Sequence, residues 1–401
     1  MRKKTFAAIL AAALLLCSCH RDEPDDIEFH VYSDGTYIEG EGLNAPYSEK
    51  NGEAEFYVPE GMKTASASQT ALTDEESELY EKIVEDIGLL RERTPLTVDS
   101  SVYQRVAELV RIEQLAYTPM SKIGLEYNVD EQRFEVLFTY RFTADEVSRM
   151  NLASENAAKK IMEGVTPDMD DYEKLKYFHD YIILNCETDT DDPYADTVYG
   201  ALVKGKALCE GYAKAFSYLC NLAGIENVIV TGVTDVPHMW NMVKLGGNWY
   251  HVDVTWDDPN DKLHEDYPDI ILYQYFMVTD SVIRNNHTIG TYPAEPPKAN
   301  GKNENYFVRE GADISNENEF FSVSENAITA AAAERKRGAM VKFERSDLFI
   351  SVTSGLESEY VDSIFEPIVS RIRSLYGINV RLSWTDYYGQ YRILTYIIEY
   401  D

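Results

Sequence analysis

Apolar residues recur three and four positions apart from about residue 73 onward, and this period predicts amphipathic helices. Thr73 and Glu76 have the spacing of a capping box, so a first helix begins there and ends near Pro95. Thr143 and Glu146 repeat this spacing ahead of another helical stripe. The helix between these two is predicted by the stripe of Val102, Val106, Leu109 and Val110.

Two runs within this region have the character of β-strands. Residues 123–129 and 134–142 are rich in β-branched and aromatic side chains, and the connection between them contains Asp130, Glu131 and Gln132. The mixture of helical and strand periods therefore predicts an α+β domain over residues 73–165.

The pattern beyond residue 166 predicts two more helices. Asp170 and Glu173 form a capping pair ahead of the first. The second has Cys209 in its first turn and stops at Gly224, because glycine is the preferred residue just past a helix end. Cys209 therefore lies at the N-terminus of a predicted helix.

Three strand-like runs follow the second helix, at residues 228–233, 239–245 and 249–256. Gly246 and Gly247 separate the last two runs, and a glycine pair at this place predicts a two-residue hairpin loop. The two runs therefore pair as antiparallel strands.

Residues 305–401 show both periods again, after a proline-containing boundary at residues 293–297. We predict two helices there, one of them kinked at Pro367, because proline removes a backbone donor inside a helix. The predicted strands are residues 339–343, 349–352, 378–384 and 392–400. These elements indicate a C-terminal α+β domain over residues 301–401.

Composition limits the classes of partner. The 401 residues are 44% apolar, which is enough for two or three domains with their own cores. Asp and Glu number 69 against 37 Lys and Arg, for a net charge of −32. Such a surface repels nucleic acid and anionic lipid, so a substrate is expected to be neutral or cationic.

The first residues have the features of an export signal. Basic residues at positions 2–4 precede the apolar run 6–16, and Cys19 follows the small residue Ser18. This end resembles bacterial lipoprotein signals, which implies cleavage after Ser18 and a lipid on Cys19; an ordinary secretory signal is the alternative. We therefore expect a signal peptide at residues 1–18, an acidic tether at 19–72 and an extracytoplasmic protein anchored to a bacterial membrane by its lipid.

The remaining cysteines do not form a metal-binding pattern. Neither CxxC nor HxxxH spacing occurs, so no metal site and no cofactor are expected. Cys209 and Cys220 would lie about 16 Å apart on one helix, which is too far for a disulfide. The sequence does not exclude a disulfide between Cys186 and Cys220. The acidic loop 187–193 could bind calcium, although it lacks the glycine and glutamate of an EF-hand, and a solvated turn is the alternative.

A thiol at a helix start has a chemical advantage. The unpaired N–H groups and the positive end of the helix dipole stabilise the Cys209 thiolate and could also hold an oxyanion. With a two-residue loop, His238 falls opposite Thr255, and Asp253 lies on the same face as His238. These positions suit a nucleophile, a general base and an orienting carboxylate.

Several residues near these three also need an interpretation. Trp240 shares the face of His238 and could shield it. His251 is a rival base, although a buried structural histidine is the alternative. Asp257 and Asp258 are interpreted as a strand-ending turn, and His287 as structural.

The stretches GKALCEGYAKAF, HMWN and WYHVDVTWDDP together resemble the transglutaminase-like cysteine superfamily. The resemblance implies a papain-like α+β core at residues 166–300, in which a helix packs on an antiparallel sheet. It assigns Cys209 as nucleophile, His238 as base and Asp253 as orienting acid. The oxyanion-stabilising tryptophan of animal transglutaminases is missing from this core, and Tyr199 stands in its region.

We therefore interpret the chain as a lipid-anchored thiol acyl-transfer enzyme acting on peptide or glutamine amides. Water as acceptor gives a protease or amidase, and a primary amine gives protein cross-linking. The alternative is a non-catalytic binding or assembly module that keeps the same fold.

Overall fold

The computed structural model describes residues 48–50, 53–55, 72–114, 120–140, 142–258, 266–267, 269–291, 293–356 and 358–401. The predicted signal peptide, the predicted lipidation site at Cys19 and most of the predicted acidic tether lie outside the described residues. Among the helices that are described, none is both long enough and apolar enough to cross a membrane.

Helices and strands are interspersed along the chain. The helices are α1 Asp74–Gly88, α2 Ser100–Glu113, α3 Ala144–Met162, α4 Asp171–Asn185, α5 Cys209–Leu222, α6 Asp280–Ile283, α7 Tyr306–Arg309, α8 Phe320–Ala333, α9 Ser346–Ser354 and α10 Ser358–Tyr376. The strands are β1 Ser48–Lys50, β2 Glu53–Glu55, β3 Arg93–Pro95, β4 Met120–Asn128, β5 Arg133–Tyr140, β6 Glu187–Thr188, β7 Lys206–Ala207, β8 Asn227–Val233, β9 Pro237–Leu245, β10 Asn248–Val252, β11 Phe276–Val278, β12 Thr288–Ile289, β13 Asp313–Ile314, β14 Gly338–Phe343, β15 Val380–Thr385 and β16 Ile393–Tyr400.

The chain divides into two compact units. The first contains the described residues up to 169 together with 186–241 and 286–297, and the second contains 170–185, 242–285 and 298–401. The predicted domain boundaries near residues 72, 165 and 300 stay a prediction.

The N-terminal part of the first unit is an α+β layer. Strands β3, β5 and β4 form a sheet in that order, and α1, α2 and α3 bury their apolar stripes in a common core with it. Both predicted capping boxes are confirmed: Thr73 and Glu76 bond reciprocally at the start of α1, as do Thr143 and Glu146 at the start of α3. The helix starts are therefore specified by local chemistry alone.

The remainder of the first unit carries α5, β8, the first half of β9, and β12. Helix α5 begins at Cys209 and ends before Gly224, whose φ of +73° confirms the predicted left-handed residue after the helix. Strand β12 pairs antiparallel with β8, with Thr288 opposite Val233.

The second unit contains α4, the β9–β10 loop and the C-terminal sheet. Asp170 and Glu173 form the predicted reciprocal cap at the start of α4. Strand β9 ends at Leu245 and β10 begins at Asn248, so the predicted two-residue loop is confirmed. Gly246 and Gly247 have φ values of +57° and +81°, which other residues adopt only with strain.

Strands β11, β10, β9, β8 and β12 form one sheet in that order. The pairing of β10 with β11 shifts register after His251, and β10 ends at Val252. The strand predicted to continue to residue 256 is therefore too long. The Asp253 side chain accepts the Trp256 N–H at 3.1 Å, and such a local bond diverts the backbone into a turn.

The C-terminal sheet has the order β13, β14, β16, β15, with α8 and α10 packed against it. Pro367 lies inside α10. The strand predicted at residues 349–352 is wrong, because helix α9 covers this run. A short apolar run fits a strand and a buried helical turn equally well, and in this run Leu348 and Phe349 are buried while Ile350 is 60% exposed.

Candidate active site

Cys209 is the first residue of α5, as the sequence predicted. The preceding Leu208 occupies the N-cap position and offers no side-chain acceptor to the first-turn N–H groups. The positive end of the helix dipole is thus directed at the position of the sulfur, where it favours a thiolate.

The start of α5 is fixed by close backbone packing. The Leu208 N–H donates to the Ala195 carbonyl at 2.8 Å. A Cβ on Gly211 would lie within 3.0 Å of the same carbonyl oxygen, so only glycine allows this approach. The glycine of the CEG sequence therefore serves packing, and it holds Cys209 at a defined place.

The Cys209 side chain is buried, with 7% exposure, in a small apolar cluster. Its partners are Ile112 from α2, Ala213 one turn along α5, and Met239 from β9, with Ile229 at the margin. Met239 directly follows His238 in the chain. The cluster therefore brings β9, the strand that carries His238, close to the N-terminus of α5.

A group of charged side chains flanks the same helix start. Glu210 pairs with Arg111 at 2.9 Å and with Lys214 at 2.9 Å, and Arg111 also pairs with Glu108 at 2.8 Å. Burial alone would raise the pKa of Glu210, but Lys214 and Arg111 lower it below its usual value. Glu210 is therefore an ionised link between α5 and α2.

His238 lies on β9 in an aromatic environment. Its ring stacks on Trp240 with centroids 5.8 Å apart and planes at 19°. The His287 ring lies 5.5 Å from His238 and 5.3 Å from Trp240. The Trp240 ring thus lies against that of His238, while its shielding role stays a prediction, and His287 is a neighbour that the sequence did not predict. The pairing of β12 with β8 brings His287 to this position, and no local sequence pattern predicts that long-range pairing.

The position of Trp240 depends on Gly232. A Cβ at Gly232 would lie 2.6 Å from Trp240 Cη2 and closer still to the Thr288 carbonyl oxygen. Gly232→Ala is therefore expected to lower the free energy of unfolding by about 2 kcal/mol through overpacking. Urea denaturation measures this value.

Gly124→Ala is the matched control, because Gly124 also lies in a strand and a Cβ there meets nothing within 4 Å. Equal effects of the two substitutions would contradict the packing assigned to Trp240.

Asp253 belongs to the second unit and is fully buried one residue beyond the end of β10. Its N–H donates to the Tyr275 carbonyl at 3.2 Å, and its Oδ1 accepts the Trp256 N–H. A turn positions this carboxylate, in place of the strand register that we predicted. The relation of Asp253 to His238 stays a prediction.

His251, the rival base, is engaged elsewhere. Its Nε2 lies 3.0 Å from Asp280 Oδ1, which also accepts the Ala299 N–H at 3.0 Å. The ring is fully buried. This arrangement favours the structural interpretation of His251.

Asp257 lies in the predicted turn after β10, and its side chain makes buried hydrogen bonds that the sequence did not predict. Its carboxylate is fully buried and accepts the Tyr275 N–H at 2.9 Å. His179 from α4 lies 3.2 Å from the other oxygen. Burial raises the pKa of Asp257 to about 6, although His179 opposes that rise.

The remaining candidates have other surroundings. Tyr199 packs edge-on against Tyr194, with centroids 5.3 Å apart, and against the N-terminal apolar core. In the acidic loop, Asp189 accepts the Asp191 N–H at 2.8 Å and pairs with Lys206 at 2.6 Å, as in a capped turn.

The cysteines of the described residues are not disulfide partners. Cys186, Cys209 and Cys220 are all buried thiols, so the bridge left open between Cys186 and Cys220 is not formed. Burial raises the pKa of Cys220 far above its usual range, which makes that thiol inert. Cys209 is thus distinguished from Cys220 by its place at the helix start.

Part of the chain matches a known protein family. Residues 155–254, which include Cys209, His238 and Asp253, match the model of the transglutaminase-like superfamily. Human kyphoscoliosis peptidase is 29% identical over 147 residues, or 32% of this chain. The match spans 21% of that human protein, so the chain corresponds to about a fifth of its length.

Solved structures are also similar to part of the chain. A crystal structure described as a TGase is 16% identical, covers 36% of this chain and 46% of its own, and has a TM-score of 0.25. A candidate cysteine protease from Cytophaga hutchinsonii is 16% identical, covers 34% of this chain and 62% of its own, and has a TM-score of 0.24. Residues 155–254 therefore match the transglutaminase-like superfamily, and the mixture of helices and strands is consistent with its α+β fold.

Proposed function

We propose that this chain is a thiol acyl-transfer enzyme with Cys209 as nucleophile, His238 as general base and acid, and Asp253 as the orienting carboxylate. The observation that carries the proposal is the position of Cys209 at the start of α5, in one apolar cluster with Met239 of β9, the strand that carries His238. The family match supports protein or peptide substrates.

The proposed reaction has two steps. The Cys209 thiolate attacks the carbonyl carbon of an amide, and α5 first-turn N–H groups stabilise the resulting oxyanion. His238 then protonates the departing amine or ammonia as the C–N bond breaks, which leaves a thioester. Asp253 holds the His238 tautomer and stabilises its imidazolium.

The acceptor decides the product. Water, deprotonated by His238, hydrolyses the thioester and gives a peptidase or amidase. A primary amine gives a cross-linked or tagged glutamine. The human relative is named as a peptidase, and we favour hydrolysis on that ground.

Two further assignments belong to the same proposal. Trp240 limits the access of water to His238, and Tyr199 contributes an oxyanion donor. The lipid on Cys19 anchors the protein outside the cytoplasm, where the net charge of −32 favours neutral or cationic protein substrates.

The competing function is a non-catalytic binding or assembly module with the same fold. The low exposure of Cys209, which lies in one apolar cluster with Ile112, favours this alternative, because a protein substrate must reach the sulfur. The ordered pairing of Glu210 with Arg111 at the same place gives it further support.

The discriminating experiment is mass spectrometry of bacterial surface proteins incubated with the protein and a labelled primary amine. A sample first alkylated with iodoacetamide is the control. Cleaved peptides identify a hydrolase, amine-tagged glutamines identify a transamidase, and both must disappear in the control. Identical peptide maps with and without the active thiol would leave the binding module as the function.

A further inference from the structure

A largely buried polar cluster lies in the second unit. We call it the α4 clamp; its members are Lys176, His179, Asp180, Asp257 and Tyr273. His179 and Asp257 have no exposed surface at all. Fully buried titratable groups are rare unless they are paired, so each partner in this cluster matters.

His179 lies between two carboxylates. Its Nε2 is 3.2 Å from Asp257 Oδ2, and its Nδ1 is 3.1 Å from Asp180 Oδ1. With both carboxylates ionised, each accepts a hydrogen bond from the ring, so both ring nitrogens donate and the ring is an imidazolium. Burial alone would lower the pKa of His179, but the bonds to Asp180 and Asp257 raise it above its ordinary value.

On the other side of the His179 ring, the Asp180 carboxylate accepts further hydrogen bonds. Asp180 Oδ2 accepts from Lys176 Nζ at 2.6 Å and from the Tyr273 hydroxyl at 2.9 Å. Lys176 also donates to the Tyr273 oxygen at 2.8 Å. The His179 ring stacks on Tyr273, with centroids 5.4 Å apart. The imidazolium is therefore held in one orientation, and its Nε2–H points at Asp257.

Asp257 in turn fixes the backbone around Asp253. Its carboxylate accepts the Tyr275 N–H, and its own N–H donates to the Asp253 carbonyl at 3.1 Å. The Asp253 N–H donates to the Tyr275 carbonyl, so the turn is bonded to the same segment at both of its ends. A change in the Asp257 carboxylate would therefore move the peptide that carries Asp253.

We propose that His179 and Asp257 are positioning residues, which hold the turn 253–257 so that the Asp253 carboxylate keeps one orientation. The proposal rests on the proposed function, because the orientation of Asp253 matters only if Asp253 orients the base. Small displacements of a catalytic group by distant substitutions reduce rates up to about 100-fold.

The test compares His179→Gln and Asp257→Asn with wild-type protein. Both variants keep the size of the side chain and remove the charged pair, and Asp257→Asn serves if His179→Gln does not fold. We expect kcat to fall about 10- to 100-fold with KM nearly unchanged. Amide hydrogen exchange at Trp256 and Tyr275 should accelerate about tenfold or more, because these N–H groups report the turn directly.

Tyr396→Phe is the control for a lost buried hydrogen bond in the same unit, since the Tyr396 hydroxyl lies 2.6 Å from Ser324 Oγ. It should leave kcat and both amides unchanged. If wild-type protein turns over substrate and the clamp variants keep its kcat or its exchange rates, only the positioning proposal is overturned. If wild-type protein shows no Cys209-dependent turnover, the proposed function fails, and the catalytic role given to the turn fails with it.

Discussion

Cys209→Ala is expected to lower kcat by at least ~10⁴-fold, because no other group at the start of α5 can form the thioester. The loss should appear in kcat and leave KM for a peptide substrate little changed. Steady-state kinetics on an amide identified by mass spectrometry measures it. The alanine fits in the apolar cluster with Ile112 and Met239, so the fold should persist.

Cys220→Ala provides the matched control for this substitution. Cys220 lies in the same helix, is fully buried and forms no disulfide. Its replacement should cost about 1 kcal/mol of stability and leave kcat within a few-fold of wild type. Comparable losses of kcat in the two variants would show that the substitutions perturb the helix and do not act through the Cys209 sulfur.

His238→Ala is expected to reduce kcat by about 10⁴-fold, since the thiol then lacks its base and the leaving amine lacks its acid. The same variant should slow iodoacetamide labelling of Cys209 about tenfold near pH 6, where an unassisted thiol is almost wholly protonated. Labelling is followed by mass spectrometry of the peptide that contains Cys209.

His251→Gln separates the two histidine candidates. The His251 ring bonds to Asp280, so its loss should affect stability more than labelling or kcat. A slow labelling rate that is the same in wild type and in His238→Ala would instead support the binding module.

Local chemistry made much of the fold predictable. Capping pairs such as Thr143 with Glu146, the glycine after α5 and the Gly246-Gly247 loop each depend on neighbours within a few residues, and all are confirmed. The position of Cys209 in the first turn of α5 follows from the same signals.

The predictions of local structure failed where contacts between segments distant in the sequence determine it. The β-branched run at residues 349–352 has strand propensity, but burial of Leu348 and Phe349 on one helical face selects α9. The turn at Asp253 is set by bonds to Tyr275, and the burial of Asp257 is set by His179 on α4. Pairwise contacts between such remote positions have no periodic signature in one sequence.

The apolar cluster that Ile112 shares with Cys209 has a consequence for the design of shorter fragments of this protein. Ile112 and Arg111 belong to α2, which precedes the family-matched residues 155–254. A fragment cut to those residues would expose the apolar cluster around the sulfur and leave Glu210 paired with Lys214 but without Arg111. Such a fragment is expected to aggregate or to react unselectively, so a minimal soluble version must retain α2.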